Sequence, residues 1–221
     1  DAIYVDSAMV FFTKITDSDS TKNLNINVFI KQINEQYGGS GKGGKARKLN
    51  IGEAIVANSR FAYDNTGKDS LSGFDYNHFS LDIPEAQLQN FAAIGDTVQF
   101  DVNTLSAVDQ RTRFGIKQLN TFFRISQKSM EFKGMNLKAG QSTISDTVVF
   151  TYESQLELND FINKVKINAH LRNTVIHPKD LALFAPAASR LQLPIKLNGT
   201  IQGRVNNFRF NNLELKTGNT V

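Results

Sequence analysis

Cysteine and tryptophan are both absent from this chain of 221 residues, and histidine occurs only three times. The absence of cysteine excludes disulfide bonds, thiolate metal sites and cysteine nucleophiles, and it leaves the cellular compartment open. Three histidines argue against a metal site built from several imidazole ligands, and the sequence predicts no cofactor. No pair of carboxylates stands out for acid–base work, so we expect a protein without enzymatic activity.

Long apolar runs are also missing. No stretch approaches the ~18 apolar residues that a membrane helix needs, and no signal peptide is visible. The chain begins at Asp1 rather than at methionine, and it stops at Val221 inside a strand-like pattern. We therefore interpret it as a fragment of a longer protein, whose membrane anchor or export signal would lie outside this sequence.

An excess of charge of one sign is missing as well. The formal net charge is +4, but the basic residues are scattered among acidic ones. A surface that binds nucleic acid interleaves aromatic and basic residues on one face. Here the aromatic residues share a strand face with aliphatic residues, whereas Lys and Arg lie on the opposite face. The sequence therefore predicts no nucleic-acid partner.

Alternation of apolar and polar residues is the dominant pattern that the chain does contain. It is clearest from Leu193 to Val205, where the odd positions are apolar or glycine and the even positions include Lys196 and Arg204. A period of two gives an extended strand one apolar and one polar face. Asn206-Asn207 interrupts the run, and asparagine tolerates the left-handed backbone of a tight turn. We predict an amphipathic hairpin here, and the same design recurs along the chain.

The N-terminal third is predicted to be β-rich around one flexible loop. Ile3–Ile15 favours a first strand or pair of strands, and a further strand is expected from Leu24 to Ile30. Residues 38–48, GGSGKGGKARK, are typical of a flexible basic loop. Leu49–Tyr63 is predicted to form two strands with a turn near Asn58.

Closely spaced strands follow from Tyr76 onward. Pro84 is predicted to end one of them, because proline cannot donate to a sheet ladder. A change in the parity of apolar residues across Gly134 indicates a β-bulge. Asn159 is predicted to cap a short helical turn.

One clearer helix is expected over about residues 178–190. Pro178 favours a helix start, and Pro186 predicts a kink or a division into two short pieces. We therefore divide the chain into an N-terminal β segment, residues 1–75, and a β-groove repeat region, residues 76–221, which contains this short helix.

A weak internal repeat connects two distant parts of the chain. Residues 130–143 align without gaps on residues 208–221. The alignment would suit a repeat architecture of several strands and a crossover helix. The identical pairs are Phe132 and Phe210, Leu137 and Leu215, Lys138 and Lys216, and Gly140 and Gly218.

The predicted strands create more apolar sheet surface than one short helix can cover. Three arrangements satisfy such a sheet. It closes into a barrel or sandwich, it packs on helices outside this sequence, or it curls into an open trough whose lining meets something apolar that is not protein.

Four stretches of the sequence resemble the AsmA/TamB superfamily in its Bacteroidota form. They are Phe74–Ala107, Gln118–Ile144, Leu158–Pro186 and Leu193–Asn219, and together they cover most of Leu49–Val221 in order. The resemblance implies an all-β fold: a long, strongly curved, mostly antiparallel sheet that forms a U-shaped hydrophobic groove, with one short crossover helix.

The same resemblance implies a function. Family members are bridge-like proteins of the periplasm, anchored in the inner membrane, that carry phospholipid between the inner and outer membranes along the groove. The expected partners are phospholipid or other acyl chains and an outer-membrane barrel protein. The residues expected to line the groove are Leu119, Phe123, Ile125, Phe132, Leu137, Val148, Phe150, Val165, Ile167, Leu197, Ile201, Phe210 and Leu215.

Other interpretations of these residues stay open. The same side chains suit the dry core of a closed sandwich that binds nothing. A third hypothesis is a scaffold or chaperone module that offers a sheet edge to outer-membrane protein strands during their assembly.

Three short motifs favour structural roles over chemical ones. Gly39–Lys45 matches part of a phosphate-binding loop, but Ala46 stands where Ser or Thr should hold magnesium. His177-Pro178 is better explained as a helix start than as a catalytic group. Asp17 and Asp19 are typical of a polar turn, with calcium binding a minor alternative.

Overall fold

The computed structural model describes residues 2–16, 22–24, 48–94 and 97–217, and these form one large β-sheet. Within these ranges, helical structure is limited to two short α-helices and two 3-10 helices, the latter at Gln155–Asp160 and Pro186–Arg190. The elements are β1 (Ala2–Asp6), β2 (Met9–Thr16), β3 (Lys22–Leu24), β4 (Lys48–Asp64), β5 (His78–Ile94), β6 (Thr97–Asp109), β7 (Gly115–Ile125), β8 (Ser129–Ala139), β9 (Ser142–Thr151), α1 (Phe161–Lys164), β10 (Lys166–Ile176), α2 (Pro178–Ala182), β11 (Ile195–Arg204) and β12 (Asn207–Thr217).

Strands β4 to β12 pair in the order of the sequence, each antiparallel to the next. Strands β1 and β2 both run parallel to β4, and β3 adds to the outer side of β2. The sheet is open, because β12 and β3 lie at opposite ends of the strand order. The prediction of an all-β, mostly antiparallel sheet is confirmed.

Strands β4 and β5 are each single strands of 17 residues, so two predicted breaks are wrong. Asn58 adopts a φ of 48° inside β4, and the chain continues beyond it as a strand. Pro84 lies at a register shift between Asp82 and Glu85 of β5, where a bulge needs no donor from it. The two strands pair from end to end, so the sheet is continuous across residue 75.

A row of residues with positive φ crosses the last five strands. Gly134 of β8 has a φ of 59°, Asp146 of β9 97°, Asn173 of β10 48°, Gly199 of β11 133° and Asn212 of β12 48°. Each lies within or beside a register shift between neighbouring strands. Bulges bend a strand and increase its twist, so this row curves the sheet along one line. The bulge predicted at Gly134 is confirmed.

The internal repeat gains a structural counterpart in this row. Gly134 and Asn212 are aligned with each other in the two similar segments, and both carry the left-handed backbone of a bulge. Asparagine and glycine are the residues that adopt this conformation most readily. The sequence equivalence therefore matches an equivalent bend in β8 and β12.

The hairpin between β11 and β12 turns one residue earlier than predicted. Arg204 pairs with Asn207, so the turn consists of Val205 and Asn206, and neither has a positive φ. The left-handed asparagine of this hairpin is Asn212, at the bulge inside β12.

Residues 177–190, the crossover segment, connect β10 to β11 across one end of the sheet. The segment contains α2 and the 3-10 helix Pro186–Arg190, so the predicted division near Pro186 is confirmed. The backbone N–H of Phe74 donates to the carbonyl oxygen of Leu183 at 2.8 Å, which joins this segment to the loop before β5. One end of the apolar sheet surface is therefore covered by protein.

Smaller helical predictions have mixed outcomes. Asn159 lies inside the 3-10 helix Gln155–Asp160, and Asp160 precedes α1, so the predicted cap position is wrong.

None of the helices in the described ranges is long and apolar enough to cross a membrane. The turn at residues 17–20, the strand residues 25–30 and the loop residues 38–47 lie outside the part of the chain that the structure describes.

Candidate functional site

The predicted lining residues of β7 and β8 share one face of the sheet. Phe123 lies opposite Phe132, and Leu119 lies opposite Leu137. Residues that face each other across an antiparallel pair project to the same side. Phe132 and Leu137 of β8 lie on the same face although they are five residues apart, because the bulge at Gly134 adds one residue between them.

The register carries the same face through β9 to β12. Phe150 of β9 pairs with Ile167 of β10, and Ile201 of β11 pairs with Phe210 of β12. We call this surface the apolar face. Besides the residues of β7 and β8 just named, the predicted residues on it are Ile125, Val148, Phe150, Ile167, Leu197, Ile201, Phe210 and Leu215.

Val165 is the exception among the predicted residues. It lies between α1 and β10 and is completely buried, with an exposed fraction of 0%. Its backbone N–H donates to the carbonyl oxygen of Phe161. Val165 therefore packs as protein core in this structure, and its side chain is not part of the open surface.

A row of phenylalanine rings crosses the apolar face from β5 to α1. Neighbouring ring centroids lie 4.9–6.2 Å apart, which is contact distance for aromatic pairs. Sequence reasoning missed three of these rings, although the alternation around Phe100 was a signal for one of them. In order, the row consists of Phe91, Phe100, Phe123, Phe132, Phe150 and Phe161.

Burial distinguishes an open apolar face from a dry core. Seven of the twelve buried hydrophobic residues in the described ranges are alanines, and no phenylalanine or isoleucine is among the twelve. Phe210 and Leu215 remain 55% and 54% exposed. The closed-sandwich interpretation is wrong for the described part of the chain, because the strands there lie in one open sheet whose main contacts are between hydrogen-bonded neighbours.

The opposite side of the sheet, the polar face, carries hydrogen-bonded charges. On β8 the ammonium of Lys133 lies 2.6 Å from the Glu131 carboxylate. This hydrogen bond outweighs the desolvation of the partly buried carboxyl and lowers the pKa of Glu131. On β9 a hydrogen bond from His170 lowers the pKa of Asp146, and Arg172 adds a second contact at 2.7 Å. Charged pairs are therefore concentrated on this side of the sheet, opposite the phenylalanine row.

A distinct pocket lies where the crossover segment covers the apolar face. We call it the end pocket; its volume is about 340 Å³. Strands β5 to β10 form its floor, and α2 with Phe184 forms its roof. The lining residues are Phe74, Leu81, Ala107, Asp109, Phe114, Ile116, Leu137, Ala139, Ser142, Ile144, Ile176, Asp180, Leu181 and Phe184.

The two carboxylates of the end pocket bond to protein groups. Asp109 is almost fully buried and accepts hydrogen bonds from the backbone N–H and the hydroxyl of Thr112, at 2.7 and 2.6 Å. Asp180 accepts from the backbone N–H of Gln141 at 2.7 Å and from the hydroxyl of Ser142 at 2.6 Å. These bonds fix the turn after β6 and tie α2 to the turn between β8 and β9.

His78 and His177 lie at the ends of secondary-structure elements. His78 contacts the buried carboxylate of Asp75 at 3.2 Å and the carbonyl oxygen of Asn65 at 3.1 Å, which anchors the loop between β4 and β5. His177 occupies the position before α2, as predicted for a helix start. No cluster of three or more possible metal ligands occurs within the described ranges. The phosphate-loop-like stretch and Asp17 and Asp19 lie outside them.

Comparison with known proteins adds no identification. No family model, no curated protein and no solved structure matches this chain. The resemblance to the AsmA/TamB superfamily stays a prediction from the sequence. The features that bear on function are therefore the apolar face, the polar face and the end pocket.

Proposed function

We propose that this chain is a segment of a bridge-like lipid transfer protein that carries phospholipid acyl chains along its apolar face. The observation that supports this most is the continuity of that face from β7 to β12, over which the described residues place only the crossover segment and α1. Apolar surfaces of this extent mark sites that bind an apolar partner. A role in binding and transfer needs no catalytic group.

Acyl chains suit this face energetically. Each methylene removed from water contributes about 0.8 kcal/mol, so a whole chain gains several kcal/mol without a specific polar contact. Hydrophobic attraction has no preferred direction. A chain therefore moves along a row of similar rings, such as Phe100, Phe123 and Phe132, without crossing a large barrier.

The polar face suits the aqueous side of such a groove. Its ion pairs, such as Lys133 with Glu131, keep this side of the sheet in water while the other side meets lipid. The sequence resemblance, rather than the structure, supports a periplasmic location between the inner and outer membranes.

The proposal is tested by the lipid content of protein purified without detergent. Phe123→Asp places a charge on the apolar face, and Phe122→Asp places the same charge on the opposite face one residue away. Mass spectrometry is expected to find phospholipid with the wild type and with Phe122→Asp, and little with Phe123→Asp. Equal lipid content in both folded variants, or none in the wild type, contradicts the proposal.

A second candidate function rests on the free edge of β12. This strand of 11 residues lies at the end of the described sheet, so one row of its backbone groups has no partner strand there. An exposed edge accepts an added strand by β-augmentation, as a scaffold for outer-membrane protein strands would require. Crosslinkers at Asn211, on β12, distinguish the two functions: capture of a nascent barrel strand favours the scaffold, and capture of lipid alone favours transfer.

A further inference from the structure

The end pocket differs from the rest of the apolar face because it has a roof. Leu181 and Phe184 of the crossover segment close it from above, and Phe184 contacts the rings of Phe74 and Phe114 at centroid distances of 5.3 and 5.6 Å. The floor contains two small residues, Ala107 and Ala139, which leave depth beneath these rings. The result is a roofed, half-open apolar recess rather than a flat surface.

Polar groups are few in the end pocket. The Oδ2 atom of Asp109 accepts two hydrogen bonds from Thr112, and the Oδ2 atom of Asp180 accepts one each from Gln141 and Ser142. The remaining lining, Ser142 apart, is aliphatic or aromatic. Ordered water needs two to four polar partners, so a recess of this kind favours a hydrocarbon over water.

The volume indicates how much hydrocarbon fits. A protein cavity of about 150 Å³ is large enough to bind benzene. The end pocket, at about 340 Å³, is roughly twice that size. It therefore suits on the order of twelve carbons in total.

The end pocket is continuous with the path along the apolar face. Leu137 lines the pocket and also pairs with Leu119 of β7, which lies next to the phenylalanine row. The row itself lies towards the opposite ends of the strands, where Phe161 of α1 contacts Phe150. An acyl chain that extends from the phenylalanine row along the strands would place its methyl end beneath the crossover segment.

We infer that the end pocket is a terminal binding site for the methyl end of a single acyl chain, with the polar end of the ligand held outside on the open part of the apolar face. The inference rests on the proposed transfer of acyl chains. It adds a defined position at which the methyl end of a chain binds. One tail is seated beneath α2, while any second tail of the same lipid stays on the open face.

The test uses two photoreactive forms of hexadecanoic acid with the whole 221-residue chain. One form carries a diazirine at the terminal carbon, and the other carries it beside the carboxylate. Peptide mapping by mass spectrometry is expected to place the terminal diazirine on the end pocket, at residues such as Ile176 and Phe184. The other diazirine is expected to label the open face near Phe123.

A filled pocket provides the second arm of the test. Ala139→Phe places a ring in the floor of the end pocket, and Ala187→Phe adds the same ring at an exposed position of the crossover segment. The first variant is expected to lose pocket labelling and to keep labelling of the open face. The second is expected to match the wild type. The labelling pattern of the two probes on the wild-type protein is sufficient to test the site. The inference therefore stays testable even if Ala139→Phe does not fold.

The outcomes separate this inference from the proposed function. Labelling of the open face by both probes, without labelling of the end pocket, overturns the terminal site and leaves the transfer proposal standing. The absence of specific labelling on the whole apolar face overturns both.

Discussion

Phe123 of β7 lies directly opposite Phe132 of β8 on the apolar face, and their ring centroids are 5.1 Å apart. Neither ring belongs to the buried core, although both lie near the middle of a twelve-stranded sheet. Rings at the centre of a two-layer protein would be covered by the facing layer. This pair therefore combines a close contact within the sheet with exposure above it.

Truncation of this pair is expected to cost less stability than truncation of a core pair. A buried Phe→Ala change costs about 3–5 kcal/mol, whereas we expect each of Phe123→Ala and Phe132→Ala to cost about 1–2 kcal/mol, because both rings remain partly exposed. A double-mutant cycle by urea unfolding should give a coupling of about 0.5–1.5 kcal/mol, typical of aromatic pairs. If either single variant, measured in lipid-free protein, lost about 3–5 kcal/mol of unfolding free energy, the apolar face would be covered by protein, contrary to the structure.

Gly199 is expected to be intolerant of a side chain. Its φ is 133°, and a Cβ added there would lie 2.5 Å from the carbonyl oxygen of Asn212. Gly199→Ala should lower the free energy of unfolding by about 1–3 kcal/mol, the range for a strained backbone position. Gly134→Asn is the matched control in the same row of bulges, because Gly134 has a φ of 59° and open space around it. Equal losses in both variants would contradict the account of this bend.

The crossover segment is expected to depend on Asp180. Its carboxylate accepts two hydrogen bonds from the turn between β8 and β9, one from Gln141 and one from Ser142. Asp180→Ala should destabilise the protein by about 1.5–3 kcal/mol, because bonds to a charged acceptor are among the stronger ones. Hydrogen exchange should increase first at residues 178–184. The neighbouring variant Lys179→Ala, at an exposed position, should change neither quantity.

Stability is expected to fall with acid through Glu131. The hydrogen bond from Lys133 holds the pKa of this carboxyl below its ordinary value of 4.5 in the folded state. The stabilisation is complete above that value and is lost as the pH falls below it, because the unfolded state then takes up the proton first. Urea midpoints measured from pH 6 to pH 3 should decline less steeply in Glu131→Gln than in the wild type. Exposed ion pairs contribute little to stability, so the control variant Glu153→Gln, which removes the exposed pair with Lys128, should keep the wild-type urea midpoint at pH 6.

The sequence predicts the apolar face well because alternation is a local property. The two-residue period places Leu119 with Phe123 on β7, Val148 with Phe150 on β9, and Leu197 with Ile201 on β11, without knowledge of the partner strands. It also locates the bulge at Gly134, where the parity of apolar residues changes. The predicted turn at Asn58 and the strand end predicted from the missing N–H of Pro84 are both wrong, because each residue lies at an irregular position inside a continuous strand.

The end pocket could not be predicted from local patterns. Its roof and floor come from residues as distant in sequence as Phe74 and Phe184, which meet only when the crossover segment lies over the sheet. Local patterns also fail at Val165, which they place on the open face although its side chain is buried. Its alternation matches that of Ile167, yet α1 and β10 bury it completely.

The most direct test of the central claim compares two adjacent positions on β10. Ile167 lies on the apolar face and Asn168 on the polar face, and the absence of native cysteine allows a single fluorescent label at either position, through Ile167→Cys or Asn168→Cys. A phospholipid with a nitroxide on its acyl chain is expected to quench the label at residue 167 strongly and the label at residue 168 weakly. Equal quenching at both positions, or none at residue 167, would contradict an open face that binds acyl chains.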